Sequence, residues 1–545
     1  MNKPVIFLLI FLSIISVSSC KKDPSVDFAI TSPKSNWTYY EDTPVVFSSN
    51  LNSENLIWTS SIDGRIGTGS GFSKILSYGK HTITLEYEIT GASKTVQIEV
   101  QEKASKTIKL LQESGNTYSK TSDRSSLGLF SLEGKIDGLQ ITFETDSINP
   151  ASVNKQCLEL KRDVVIQNDG ITSIIKKSSL RNAVALVPES RAFKVINTIT
   201  QADCHEISAN LIDTTDNFYV YADSSLSDDD ISTIKNCVAK FEKNCFYKVL
   251  SIWGDCEDIN GDGKFTLLFA PCINDEGIAV GFFNQNDFFA ADDDENPFSN
   301  EMDICYVAVP DESKSSYCFN SIIATLAHEI THAINFSKKT YAKVKLNSED
   351  NAIMETFLDE GLCHLTESLC GYGVTGGNMN FVNHYLSKSP YYSFCSTDIN
   401  GSSDSVYQRG AMALFLYYLF CQEGGMDYNA DNSIKDEGGI SFLNRIISSE
   451  YYDWKAIGEA AGTNTDYLFR EFCTKLLTNS MEDIFDFSKT DPVTGEKIFK
   501  CNELSIFSSS DISKLLEYSI MKIESESSNS TITWNEISGN CYLVW

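Results

Sequence analysis

Histidine and basic residues are scarce in this chain. It has 6 histidines among 545 residues, and 44 lysines and arginines face 74 aspartates and glutamates, which gives a net charge of −30 at pH 7. A protein with this charge would be repelled by phosphates, which argues against a nucleic-acid-binding function. An acidic surface keeps a protein soluble; a preference for basic substrates is a weaker inference from the same charge.

Long apolar runs are missing beyond the N-terminus. A bilayer span needs about 20 apolar residues, and the run at residues 5–15 is too short for one. It follows a basic start and precedes Val17-Ser18-Ser19-Cys20, which is typical of an export signal and resembles a bacterial lipoprotein box. We predict a signal peptide at 1–19, lipidation of Cys20 and a mature protein anchored in the cell envelope; the alternative is a coincidental cysteine.

The chain also lacks any C-x-x-C pair, and its cysteine spacing fits no zinc finger. With Cys20 lipidated, fifteen of the sixteen cysteines remain, so at least one is free or pairs between molecules. Several cysteines occur in apolar helical patterns and are interpreted as small buried thiols: Cys237, Cys363, Cys370, Cys421 and Cys473.

The length predicts several domains, and 42% hydrophobic with 22% charged residues is ordinary for a folded protein. Period-two alternation broken by glycines predicts an all-β sandwich over 24–103. A less regular β-rich domain follows at 104–215, and alternation near the C-terminus indicates a small β region at 481–545. Strands and helical patterns between them predict an α+β domain over 216–480.

Two local signals refine this organisation. In the first domain, Trp58 is predicted to fill the core between two sheets, and the segments 58–64 and 79–85 resemble bacterial immunoglobulin-like modules. In the third domain, Ser227 and Asp230 form a predicted capping box at the start of a helix.

Residues 326–334 read as a helix that carries the pattern H-E-x-x-H. His328 and His332 are four residues apart and therefore lie on one helical face, where both imidazoles can reach one tetrahedral ion. Glu329 stands beside them, within reach of a zinc-bound water. Apolar residues at helical spacing predict a buried face that holds this helix rigidly.

A second helical pattern follows at residues 355–367. Glu360, His364 and Glu367 fall at i, i+4 and i+7 on one polar stripe. Such a stripe is commonly just solvated; after an H-E-x-x-H helix we expect it to supply the third zinc ligand. Glu360 and Glu367 share this stripe, whereas Glu355 lies about 140° away around the helix.

The segments 326–336 and 355–362, Leu-Ala-His-Glu-Ile-Thr-His-Ala-Ile-Asn-Phe and Glu-Thr-Phe-Leu-Asp-Glu-Gly-Leu, resemble the hyicolysin family of bacterial secreted zinc metallopeptidases. The resemblance runs from about residue 216 to 478. It implies a zinc site of His328, His332 and Glu360. Phe357 and Asp359 stand where Trp and Asn are common in that family, which affects the surroundings of the ligands.

A few predicted strands before the long H-E-x-x-H helix indicate a zincin-like α+β domain with its cleft between sheet and helices. Related zinc peptidases use a downstream Tyr, His or Arg to stabilise the oxyanion, so Tyr407, Arg409 and His364 are candidates for this role. Ordinary helix-start residues are the alternative reading of Tyr407 and Arg409.

A calcium loop is a separate hypothesis. Asp258, Asn260 and Asp262 occupy positions 1, 3 and 5 of an EF-hand-like loop with glycine at position 6, but Phe269 stands at position 12, where a bidentate glutamate belongs. The segment therefore predicts either a Ca²⁺ site or a tight turn.

Taken together, these patterns predict an extracytoplasmic, lipid-anchored zinc-dependent endopeptidase. Zn²⁺ would polarise the scissile carbonyl of a protein or peptide substrate, and Glu329 would act as general base. Two alternatives remain: a cell-surface adhesion or binding lipoprotein with a structural or degenerate zinc site, and a narrower hydrolase acting on cell-wall peptides.

Overall fold

The computed structural model describes residues 28–33, 35, 37–40, 44–101, 107–110, 117–121, 126–132, 134–143, 187–292, 294–346, 352–508, 514–524 and 529–544. The predicted signal peptide and the predicted lipidation site Cys20 lie outside these residues. Strands dominate the N-terminal half, whereas helices dominate the C-terminal region, which also contains sheets. The chain is multidomain.

The described residues between 28 and 101 form two packed sheets. Their strands are β1 (Ile30–Ser32), β2 (Trp37–Tyr40), β3 (Pro44–Ser49), β4 (Leu56–Ser60), β5 (Gly64–Thr68), β6 (Gly71–Ile75), β7 (Gly79–Tyr87) and β8 (Ala92–Gln101). The sheet orders are β1-β3-β6 and β2-β8-β7-β4-β5. Trp58 on β4 is fully buried, and its ring centroid lies 5.4 Å from that of Phe47 on β3. The predicted place of Trp58 between the sheets is confirmed; the immunoglobulin-like assignment stays a prediction.

The next strands belong to two groups. The first contains β9 (Thr107–Leu110), β10 (Thr117–Thr121), β11 (Ser126–Leu132), β12 (Ile136–Asp137) and β13 (Gln140–Phe143). The second contains β14 (Ser190–Ile196), β15 (Cys204–Thr214), β16 (Phe218–Asp223), β17 (Phe265–Phe269), β18 (Gly281–Phe283) and β19 (Ile304–Val307).

The second group forms one six-stranded sheet in the order β14-β15-β16-β17-β19-β18. Strands β16, β17 and β19 are parallel, and β18 is an antiparallel edge strand. Our predicted boundary at 215/216 separates β15 from β16, but these strands pair directly as antiparallel neighbours. A short connection joins them, so residues 190–214 belong to the sheet of the central domain.

The helices follow mainly after this sheet. They are α1 (Asp228–Phe241), α2 (Tyr247–Trp253), α3 (Pro271–Glu276), α4 (Phe319–Phe336), α5 (Ala342–Lys345), α6 (Thr356–Leu369), α7 (Gly373–Gly376), α8 (Met379–Lys388), α9 (Val406–Gln422), α10 (Gly439–Ser448), α11 (Lys455–Ala461), α12 (Thr465–Thr478) and α13 (Met481–Ile484). The capping box of Ser227 and Asp230 is present at the start of α1, as predicted. Among the described residues, the helices are too short or too polar to cross a bilayer.

The remaining strands are β20 (Met426–Tyr428), β21 (Ile434–Asp436), β22 (Ile506–Phe507), β23 (Lys514–Leu515), β24 (Ile520–Glu524), β25 (Asn529–Thr533), β26 (Glu536–Ile537) and β27 (Asn540–Val544). Strands β22–β27 pair with β9–β13 in the sheets β10-β25-β13, β22-β24-β11-β27-β9 and β23-β12-β26. Phe130 on β11, for example, lies opposite Tyr542 and stacks on it at 5.0 Å between centroids. The sequence predicted two separate β regions here; the structure joins their strands in shared sheets.

Two close approaches position the helices of the central domain. A Cβ at Gly281 of β18 would lie 2.8 Å from Thr325 Cγ2, so the edge strand can sit directly on α4 only because this residue is glycine. A Cβ at Gly361 would lie 2.3 Å from Met412 Cγ, which brings α6 equally close to α9. The sheet edge, α4, α6 and α9 therefore meet in one region.

Candidate metal centre

The helix α4 places the three residues of the H-E-x-x-H pattern at this meeting point. His328 is fully buried, Glu329 is 4% exposed, and the side chain of His332 is 12% exposed. The Nε2 atoms of the two histidines are 3.1 Å apart. The rest of the helix is mostly apolar and almost completely buried, so these side chains stand on a fixed support. Of the three, His332 is the most exposed.

Glu360 on α6 completes a set of three converging donors. Its Oε2 lies 3.3 Å from His328 Nε2, and its Oε1 lies 3.6 Å from His332 Nε2. A tetrahedral zinc ion with ligands at 2.0–2.1 Å requires donor atoms roughly 3.3 Å apart. The spacing and the chemistry of the set, two imidazoles and one carboxylate, therefore fit zinc.

Two further carboxylates of α6 accept hydrogen bonds from the Nδ1 atoms of the two histidines. Glu367 Oε1 accepts a hydrogen bond from His328 Nδ1 at 2.9 Å, and Asp359 Oδ2 accepts one from His332 Nδ1 at 2.7 Å. Asn335 Nδ2 in turn donates to Asp359 Oδ1 at 3.0 Å. A histidine that donates through Nδ1 presents the lone pair of Nε2, which is the form that binds a metal.

These orienting roles were missed from the sequence. Asp359 was noted only as a departure from the residue common in the resembled family, and Glu367 only as an alternative ligand. A sequence signal was available only for Glu367, which lies on the same predicted polar stripe as Glu360. Glu355, the other alternative, is exposed at the start of α6, and the geometry favours Glu360 as the third donor.

The electrostatics of the cluster favour positive charge between the donors. Burial by itself would lower the pKa of His332, but Asp359 and Glu360 outweigh it and raise this pKa to about 10. Burial would raise the pKa of Glu360, yet Arg409, with Nη1 3.0 Å from Oε2, and His332 hold it well below its ordinary value. The carboxylates therefore stabilise a cation here, either as protons on the histidines or as a metal ion.

Glu329 lies between α4 and the edge of the six-stranded sheet. Its Oε2 accepts a hydrogen bond from the backbone N–H of Phe283 on the edge strand β18 at 2.8 Å. This contact fixes the carboxylate of the residue that follows His328. Such a position suits a group that exchanges protons with a reacting molecule.

The candidates for oxyanion stabilisation have different surroundings. His364 reaches the centre: its Nδ1 donates to Glu367 Oε1 at 2.8 Å, and its Nε2 lies 3.9 Å from Glu360 Oε2. Arg409 contacts Glu360 and makes two hydrogen bonds to Asp404, at 2.8 and 2.9 Å. Tyr407 instead stacks on Tyr392 at 4.2 Å between ring centroids.

Other donor sets overlap with the main one. Donor atoms of His328, Glu360 and His364 lie within 4.8 Å of one another, as do those of His328, His332 and Cys363. Burial raises the pKa of Cys363 well above its usual value, which disfavours the thiolate form that binds metals. His364 remains a neighbour that shares Glu367 with His328.

The predicted calcium loop is held as a turn. Asp258 accepts hydrogen bonds from the backbone N–H groups of Gly261, Asp262 and Gly263 at 2.8–3.2 Å. Asn260 Nδ2 donates to Asp262 Oδ2 at 2.8 Å. Phe269 is fully buried at the end of β17. The side-chain oxygens thus already serve the loop, which favours the turn over the Ca²⁺ site.

The fourteen cysteines within the described residues are all free thiols. Four of the five that were predicted to be buried thiols are buried: Cys237, Cys363, Cys370 and Cys473. Cys421 is only half-buried.

The class of site is defined by two helices. The first carries the H-E-x-x-H pattern, and the second supplies a glutamate and the carboxylates that bond the Nδ1 atom of each histidine. No model of a known protein family matches the chain. The chain is similar to the neutral metalloprotease ShpI of Staphylococcus hyicus, with 24% identity over 275 residues, 50% of this chain and 60% of that protein. It thus spans about 60% of this relative's length. The similarity supports a metalloprotease family, whereas the immunoglobulin-like module and the lipoprotein signal stay predictions.

Proposed function

We propose that this chain is an extracytoplasmic, lipid-anchored zinc endopeptidase that hydrolyses peptide bonds. One observation carries the proposal: the Nε2 atoms of His328 and His332 and the carboxylate of Glu360 converge at 3.1–3.6 Å. A further carboxylate, that of Glu329, is held by the backbone N–H of Phe283. The similarity to a protein named as a neutral metalloprotease supports the same activity.

The residues of the centre have three proposed roles: binding the zinc ion, orienting the histidines and acting as a general base. His328, His332 and Glu360 would hold zinc, which when bound polarises the scissile carbonyl and acidifies water. Glu367 and Asp359 keep the two imidazoles in the binding orientation. Glu329 takes a proton from the attacking water and later delivers it to the leaving amine, while Phe283 N–H keeps its carboxylate in place.

Lipid anchoring is a separate part of the proposal and is supported by the pattern at residues 1–20. The Cys20 thiol would accept the lipid, so Cys20→Ser should give a protein that is neither cleaved before residue 20 nor lipidated. Mass spectrometry of the mature N-terminus tests this. An unmodified N-terminus at another residue in the parent protein would remove the lipoprotein proposal.

The activity is tested by measuring zinc content and casein hydrolysis of the chain from residue 21 onwards. We expect bound zinc and hydrolysis that ceases on chelation, and we expect His328→Ala to lose both. His205→Ala is the matched control, because His205 contacts Glu276 rather than the metal centre. Zinc binding without hydrolysis of any unfolded protein would contradict the proposal and favour the binding lipoprotein.

A further inference from the structure

A cavity of about 410 Å³ lies at the start of α6, between this helix and the segment that carries α11 and α12. We call it the α6 pocket. Three aromatic and three acidic side chains form most of its wall: Phe357, Trp454, Tyr518, Glu355, Asp453 and Asp466. A pocket with aromatic and carboxylate walls is complementary to a group that is both apolar and cationic.

The aromatic wall is preformed. Asp466 Oδ1 accepts hydrogen bonds from the indole N–H of Trp454 at 3.1 Å and from the hydroxyl of Tyr518 at 3.0 Å. The two rings are thereby fixed with their centroids 5.2 Å apart. Trp454 also stacks on Phe415 at 5.4 Å. A ligand would therefore meet ordered rings and would not need to order them on binding.

The charge of the pocket is negative. Lys455 also lines it, but this residue is exposed, and its ammonium lies over the ring of Tyr451 at 5.9 Å. Burial raises the pKa of the Cys395 thiol in the wall well above its usual value, so this group is neutral. Three carboxylates thus face a single lysine, in a protein whose net charge is −30.

The α6 pocket lies close to the metal centre along the same helix. Asp359 N donates to Glu355 O at 3.1 Å, so Glu355 stands one helical turn before Asp359. Asp359 in turn bonds His332, the histidine nearest to solvent. One turn is about 5.4 Å, and an extended peptide advances about 3.3 Å per residue. Glu355 and Asp359 are thus separated along the helix axis by a distance that about two residues of an extended peptide span.

We infer that the α6 pocket binds the cationic side chain of a lysine or arginine near the scissile bond, which makes basic polypeptides the preferred substrates. This inference rests on the peptidase function proposed above. The aliphatic stem packs on the rings of Trp454 and Phe357, and the charged end meets Glu355 and Asp453.

Cleavage of a mixed peptide library by the chain from residue 21 onwards tests the inference. We expect lysine and arginine to be enriched at one position relative to the cut. The double variant Glu355→Gln/Asp453→Asn should lose this enrichment, roughly two- to fivefold per carboxylate, while it still cleaves neutral sequences. Glu450→Gln is the matched control, because it removes one exposed charge outside the pocket and should leave the enrichment unchanged.

A binding measurement separates this inference from the peptidase proposal. Calorimetry with N-acetyl-arginine amide should show binding to the Glu329→Gln protein that weakens in the double variant, and N-acetyl-citrulline amide, which lacks the charge, should bind more weakly. Binding of this kind, together with no hydrolysis of any peptide by the parent protein, would support the pocket and contradict the peptidase. Hydrolysis without basic preference, or equal binding of both amides, would overturn the pocket assignment.

Discussion

The metal centre and the loop of residues 258–264 both match a metal-binding sequence pattern, but they use their polar atoms differently. At the centre, carboxylates from α6 accept the Nδ1–H groups of His328 and His332, which leaves both Nε2 atoms directed at a common point. In the loop, Asp258 accepts backbone N–H groups of its own turn. Hydrogen bonding thus directs the Nε2 atoms of the centre toward a point where a metal ion could bind, whereas in the loop it engages the carboxylate of Asp258 with the backbone.

The largest expected effect that tests this difference is at Glu329. Glu329→Gln keeps the shape and an oxygen that can accept the Phe283 N–H bond, but removes the base. We expect kcat/KM to fall by about 10² to 10⁴ with zinc retained. Steady-state kinetics with metal analysis measure both. Hydrolysis within a few-fold of the parent would show that the proposed mechanism is wrong.

The next largest effects concern the zinc affinity of α6 variants. Glu360→Ala should lose the metal, because it removes a donor. Glu367→Gln should bind zinc roughly 10- to 100-fold more weakly, since it only orients His328. Glu355→Gln should bind it like the parent. Competition with a zinc chelator gives the three affinities. Zinc loss in the Glu367 variant but not in the Glu360 variant would reverse the assignment of ligand and orienter.

A third test concerns Asp287. Its carboxylate is buried, like that of Glu360 at the centre, and it accepts a backbone hydrogen bond, like that of Asp258 in the loop. Asp287 accepts hydrogen bonds from Asn300 N and Tyr306 Oη, and burial raises its pKa from 3.8 to about 7. Between these values the folded protein holds a proton that the unfolded chain has lost. This contribution to the free energy of unfolding therefore falls as pH rises from about 4 to 7.

Asp287→Asn cannot titrate, so its unfolding free energy should depend less steeply on pH in this window. The parent should lose stability relative to the variant as the pH is raised from 4.5 to 8. Thermal unfolding of both proteins across this range measures the difference. A difference in unfolding temperature that stays constant with pH would show that Asp287 does not titrate as described.

The smallest expected effect is in the loop. Asp258→Asn weakens hydrogen bonds to the turn, which should cost about 1 to 2 kcal/mol of stability. Because these oxygens already serve the backbone, millimolar calcium should leave the unfolding temperature of the parent unchanged. Differential scanning calorimetry tests both statements. A calcium-dependent stabilisation that disappears in the Asp258 variant would restore the Ca²⁺ site.

The parts of the site that could be predicted are those encoded by local periodicity. The spacing of His328, Glu329 and His332 and the helical stripe of Glu360 depend only on positions along one helix. The orienting role of Asp359 depends instead on how two helices cross. That crossing of α4 and α6 depends on tertiary packing, and no pattern within α6 predicts it.

The fold shows the same division. Alternation or helical spacing over short stretches of sequence predicts the sandwich strands, α1 and α4. The pairing of β11 with β24 and β27 does not, because alternation shows which face of a strand is buried and leaves its partner open. Tyr407 illustrates the limit for single residues: it stacks on Tyr392, whereas Arg409, two positions later, faces Glu360.

Because β9–β13 and β22–β27 share sheets, these strands cannot all pair until the C-terminal strands have been synthesised. Strand β11 leaves the ribosome before the central domain, but its partners β24 and β27 leave after it. Until then the edges of β11 are unpaired and its apolar face is open to aggregation. The entropic cost of bringing β11 and its C-terminal partners together is only modestly increased by the long segment between them, because this cost grows slowly with segment length. Interruption of translation before residue 506 would therefore yield a chain that contains the residues of the candidate metal centre but lacks the strands that pair with β11 beside Leu127 and Leu129.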